Sequence, residues 1–214
     1  ETITADVVLS CAGYHETLKL CRPDHKTPPG EHGRLSFVET IAILDQPPEP
    51  LGHDATIIFF NDAPTFSYAR PHEPVDLRSG VVCTPNNYAG HEDMDEGVFR
   101  VTWIADFESW AELDEQAYAA QKERYRAPFI RCARRFIPDI SDHILDMDMF
   151  TPRTILRYTG HIGGAVYGCP IKRRDGRTPY KNLFICGTDQ GFLGIIGAML
   201  SGITIANLHV LSEA

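Results

Sequence analysis

The sequence predicts an α/β chain of the α+β kind, built in two parts. Short apolar segments that suit buried parallel strands stand near both ends, in TADVVLS (4–10) and NLFIC (182–186). Between residues 34 and 105 lie β-branched and aromatic segments parted by turn formers, the pattern of a mostly antiparallel sheet. A glycine-rich turn then opens a long uncharged helix near the C-terminal end.

Each element follows from its residues. Residues 2–13, centred on Val7, Val8 and Leu9, read as a strand running into a turn at Gly13. Arg22 to Gly33 holds Pro23, Pro28, Pro29 and Gly30, a loop-rich shift that suggests a domain boundary. Leu35–Leu44, Thr56–Phe60, Gly80–Thr84 and Val98–Ala105 read as strands, separated by QPPEP (46–50), NDAP (61–64) and PHEP (71–74). Ser109-Trp-Ala-Glu112 has the capping-box pattern and opens one long helix. Its acids Glu112, Asp114 and Glu115 come early and its bases, from Lys122 to Arg135, come late, which complements the helix dipole. Pro128 should kink this helix and Pro138 should end it. Its basic run reads as a solvated face or as a lipid-headgroup patch.

Composition excludes several classes. Lys plus Arg number 20 against 29 Asp plus Glu, a net charge of −9, and the bases are dispersed outside the helix just described. Nucleic acid is therefore not an expected partner. The six cysteines, at 11, 21, 83, 132, 169 and 186, form no CxxC pair, and the nine histidines form no HxH or HExxH. Neither a disulfide scaffold nor a metal site is expected, and the thiols should be reduced and mostly buried. No signal-peptide pattern opens the sequence, and the expected location is the cytoplasm, with membrane association through a peripheral contact as an added reading.

The C-terminal element carries the most information. No Asp, Glu, Lys or Arg occurs between Gln190 and Ser212, long enough to raise a membrane span. Gly191, Gly194, Gly197, Ser201 and Gly202 argue instead for a helix buried in a soluble domain and closely approached by something. Helix N-termini carry unpaired N–H groups that hold anionic or electron-rich atoms, and Asp189 is placed to accept from ribose or ribitol hydroxyls. The spacing is not G-x-G-x-x-G, so a cofactor edge and plain helix-on-sheet packing both remain open.

At these residues a resemblance appears. NLFICGTDQGFLGIIGAMLSGITIAN (182–207) resembles the C-terminal flavin segment of amine-oxidase-like FAD-dependent oxidoreductases, in the phytoene desaturase, carotenoid isomerase and retinol saturase branch. TADVVLSCAGYHET (4–17) and TPRTILRYTGHIGGAVYG (151–168) resemble two further segments of that family, in the right order. The resemblance implies a partial FAD/NAD(P)-binding Rossmann-like domain over 1–22 and 156–214, and an antiparallel-sheet substrate-binding domain over 23–155. It implies that Gly187 and Asp189 reach the flavin ribitol and pyrophosphate. Ile195 and Ile196 would turn their N–H groups to the flavin N1/O2 edge, and Gly194 and Gly197 would permit the approach. Ser201 and Gly202 resemble the family's helix-packing pair.

The implied activity is hydride transfer to or from FAD on an apolar polyene or isoprenoid substrate, as a desaturase, saturase or isomerase. One departure stands out. The G-x-G-x-x-G unit that clamps the ADP half of FAD is absent. The chain therefore reads as the C-terminal portion of a longer protein whose N-terminal region supplies that unit, and it is expected to be colourless and inactive alone. No catalytic residue is assigned; Arg153, Tyr158 and Tyr167 lie in the stretch expected near the flavin. The alternative is a non-catalytic module that binds an apolar ligand or a membrane surface.

Overall fold

The computed structural model describes residues 2–90, 94–136 and 138–211. It is mixed helix and strand, 33% and 22%, with one parallel pair and one five-stranded antiparallel sheet, an α+β protein. The chain divides into two compact units, 1–34 with 155–214, and 35–154. The Pro-rich stretch 23–34, expected with the substrate domain, thus packs in the first unit.

The first unit holds β1 (Val8–Ser10), α1 (Tyr14–Cys21), and, after the second unit has intervened, β7 (Leu183–Ile185) and α6 (Gly194–Ala206). Strands β1 and β7 pair in parallel, Val8 with Leu183 and Ser10 with Ile185. The strand expected over 2–13 is only three residues long, and Val8 and Leu9 are exposed. Helix α1 was not foreseen, because His15, Glu16 and Thr17 interrupt any clean apolar stripe.

Helix α6 differs most from expectation. It is not a buried helix: Ser201 and Ile205 are its buried residues, while Ile195 (84% exposed), Ile196 (74%), Met199 and Ile203 face outwards. The physical reason is the width of its support. A two-stranded parallel pair offers too little surface to cover a helix. With the π-helical turn Asn207–Leu211, the stretch Gly194–Leu211 is 18 residues long and apolar enough, by length and composition, to cross a membrane.

The second unit is a sheet in the order β3-β4-β5-β2-β6, formed by β2 (Ser36–Leu44), β3 (Ile57–Asn61), β4 (Val75–Cys83), β5 (Gly97–Ala105) and β6 (Ile144–Phe150). All its pairings are antiparallel. Alternation decides its faces. Val38, Ala42, Phe99, Val101 and Trp103 point to one face, where they form the core with Trp110, Tyr125 and Phe129. The opposite face carries Phe37, Ile41, Arg100 and Thr102, which are half-buried, and Phe59, which is 79% exposed.

The single long helix expected over the core is three: α2 (Glu108–Ala111), α3 (Glu115–Arg124) and α4 (Arg126–Ala133). The break at Tyr125 precedes Pro128 by three residues, because proline has no N–H to give to the carbonyl of Arg124. Ser109 is not the cap. Asp106 accepts from the Ser109 N–H at 2.9 Å and from its hydroxyl, and Asp114 caps α3 through the Ala117 N–H at 2.8 Å. Strand β6 is followed by helix α5 (Pro152–Thr159). All six cysteines are free; Cys132 and Cys169 are buried, but Cys11 and Cys21 are exposed, against the expectation of mostly buried thiols.

Candidate functional site

Strand β7 ends at Ile185, and the N–H of the next residue, Cys186, donates to the Ser10 carbonyl at 2.8 Å. Gly187 then turns with φ +87°, and a short 3-10 turn, Thr188–Gln190, leads to Gly191 and on to α6. The Gly187 N–H donates to the fully buried Ser201 hydroxyl at 2.6 Å, which ties the strand end to the helix. Ser201 is thus a packing residue. Gly197 is one as well, since a Cβ there would press on the Phe192 backbone and side chain.

The N-terminus of α6 is open. Leu193 precedes it in extended conformation, and no side chain among the described residues caps the first turn. Gly194 has φ +73° and nothing within 4 Å of the place a Cβ would take. Gly194, Ile195 and Ile196 therefore present an accessible first turn with its partial positive charge, the arrangement that receives an electron-rich ligand edge.

Asp189 is placed elsewhere than the sequence suggested. It is 2% exposed, and its two oxygens accept the N–H groups of Tyr14 and Cys169, each at 2.7 Å. The Tyr14 bond makes it the cap of α1, which has no cap of its own because Gly13 stands at that position. Lys172 Nζ lies 3.8 Å from Asp189 Oδ1 and donates to the Tyr167 carbonyl at 2.6 Å; burial lowers its pKa from the ordinary lysine value. Asp189 is an internal clasp joining α1, the 168–169 turn and the strand end, not an outward acceptor for ribitol. Sequence reasoning missed its partners Tyr14 and Cys169, which follow Gly13 and Gly168. Both glycines have positive φ, and a Cβ on Gly168 would collide with the Asp189 carboxylate.

Beside the clasp lies a second polar group that no spacing motif marks. Ligand atoms of His15, Glu31 and Cys169 lie within 4.8 Å of one another. Glu31 Oε2 already takes His15 Nε2 and Arg173 Nη2, both at 3.0 Å, and the His15 Nδ1 meets His25 Nε2 at 3.1 Å. Burial lowers the His15 pKa and raises that of the Cys169 thiol. The Arg173 guanidinium and the His15 ring share one Glu31 oxygen, which makes this an internal hydrogen-bonded cluster.

No protein-family model matches the chain, and no curated protein matches it. The candidate site therefore stands on its geometry. The remaining candidates come from the 151–168 stretch. Tyr158 is 76% exposed, and Arg153 is held by Glu115 at 2.6 Å and lies over the Tyr118 ring.

Proposed function

We propose that this chain supplies the flavin-edge helix and the substrate sheet of an FAD-dependent oxidoreductase acting on a polyene or isoprenoid lipid. The observation that carries the reading is the glycine-opened N-terminus of α6, which follows a parallel strand through the turn at 186–193. Bound there, FAD would supply hydride acceptance or donation. The N–H groups of Ile195 and Ile196 would face the N1/O2 edge and favour the reduced form, which gains negative charge there. Gly187 and Gly197 would act by shaping this turn. Asp189 would hold the turn from within, without touching the ligand. The ADP half finds no glycine cradle among the described residues, so a G-x-G-x-x-G unit from outside these 214 residues is part of the proposal. On the outer face of the antiparallel sheet, Phe37, Ile41 and the exposed Phe59, which stand among Glu39, Arg100, Thr102 and Asp148, would contact the apolar substrate.

The exposed apolar side of α6 favours a second reading, a module that binds a membrane surface without flavin. One experiment separates the two. The chain is joined to a G-x-G-x-x-G unit of its own protein, and FAD per protein is read by absorbance after gel filtration. Ile195→Pro removes one first-turn N–H where proline is tolerated. Flavin affinity should drop roughly tenfold, while Glu112→Ala on the exposed α2 end changes nothing. A colourless parent that floats with vesicles establishes the second reading, and full flavin in a folded Ile195→Pro variant defeats the first.

A further inference from the structure

The second unit has a cleft of about 490 Å³ between β4 and α4, within the range of roughly 300–1,000 Å³ usual for small-molecule sites. Its walls have two characters. Leu77, Trp103, Pro128 and Cys132 are apolar, and burial raises the Cys132 thiol to about 11, so it stays uncharged. Arg131, Arg134 and Arg135 add three guanidinium groups. Pro128, Arg131, Cys132 and Arg135 recur at helical spacing along one side of α4 and the turn after it.

Two features remain unaccounted for by the fold. Arg134 is paired with Asp139, and Arg135 with Asp62 at 2.9 Å, but Arg131 has no ion-pair partner among the described residues. Trp103, which lines the cleft, is 1% exposed, and its indole N–H has no hydrogen-bond partner among the described residues. A buried donor without an acceptor costs stability. Trp110 shows the usual solution, donating its indole N–H to the Pro74 carbonyl at 3.1 Å. An apolar trough with a free cation and an orphaned donor calls for a ligand with an apolar body and an oxyanion head.

We propose that this cleft is a binding site for a single-chain anionic amphiphile, whose chain lies on Leu77, Pro128 and Cys132 and whose oxyanion meets Arg131 and the Trp103 N–H. The inference is independent of the flavin reading, because it uses the second unit alone.

The test uses the 214-residue chain labelled with ¹⁵N, whose two tryptophans give two indole N–H signals, assigned with Trp110→Phe. Decyl phosphate below its micelle concentration should move the Trp103 signal downfield and saturably, leaving Trp110 in place. Arg131→Gln, at an exposed position, should weaken that titration roughly three- to tenfold without altering the fold. Inorganic phosphate and decanol, each carrying half of the ligand's chemistry, should be much weaker. Vesicles of anionic phospholipid distinguish a membrane headgroup from a free amphiphile. A response to vesicles alone overturns the proposal, as does an equal response to inorganic phosphate, an unmoved Trp103 signal, or an Arg131→Gln titration like that of the parent.

Discussion

Asp189 turns a residue read as a ligand-binding acid into a structural one. Asp189→Ala leaves the Tyr14 and Cys169 N–H groups without an acceptor, and each buried orphan costs about 1–3 kcal/mol. The urea midpoint should therefore fall, with Asp189→Asn recovering part of the loss through its one remaining acceptor oxygen. A change in stability below about 0.5 kcal/mol for Asp189→Ala, the scale of a neutral surface substitution, would show that the clasp is not made. Nearby, Glu16 accepts the Ile162 N–H at 2.8 Å and sits 3.5 Å from His161. Burial pushes the Glu16 carboxyl up, but His161 and the Ile162 N–H outweigh it and hold it below its ordinary 4.5. The Glu16 carboxylate raises His161 above its ordinary 6.5. The histidine's contribution is thus complete below pH 6.5 and lost as pH rises through its raised pKa. The carboxylate's contribution is present above 4.5 and lost as pH falls through its lowered pKa. Stability from this pair should be greatest between those limits. Titration of the His161 ring by NMR should give a midpoint above 6.5 that Glu16→Gln brings down.

The elements show what a sequence makes legible. Strands β2 and β5 were readable almost to the residue, because Phe99, Val101 and Trp103 alternate with Val98, Arg100 and Thr102 on a sheet with two unlike faces. Strand β6 was not, because Asp146 and Asp148 lie on its exposed side and aspartate is poor in strands. Its pairing with β2, Met149 beside Thr40, is a long-range fact. The α6 turn was legible as a glycine-opened helix start, but its Asp189 was not, since its partners lie 175 and 20 residues away. Caps failed for a local reason. Ser109 and Glu112 satisfy the capping-box pattern, yet the acids before each helix, Asp106 and Asp114, do the capping. Asp114→Ala should accordingly cost about 1 kcal/mol in chemical denaturation, the usual worth of an N-cap, and Glu112→Ala should stay within about 0.5 kcal/mol. The reverse order would restore the capping box.

At the scale of the whole molecule the two units differ in how they are held. The apolar core, from Val38 to Met149, lies entirely in the second unit, with Trp103, Trp110, Phe99 and Phe129 fully buried. The first unit buries Phe184, Ile185 and Ile205 but leans on polar clasps, and its sheet is one pair of three-residue strands. Apolar burial is the larger stabilising term, at roughly 25 cal/mol per Å², whereas a hydrogen bond nets about 1 kcal/mol. Backbone amides open locally where few apolar contacts hold them. In native-state hydrogen exchange, the N–H groups at the middle of β2, β4 and β5 should exchange only with global unfolding of their unit. Those of β1, β7 and the first turns of α6 should exchange by smaller openings, with little dependence on denaturant. Joining the chain to the G-x-G-x-x-G unit and adding FAD should slow the β7 and α6 amides while leaving β2 and β5 unchanged, since ligand binding stabilises only what it contacts or orders. Equal protection of both units in the 214-residue chain would mean that the clasps around Asp189 and Glu31 hold the first unit as firmly as the aromatic core holds the second.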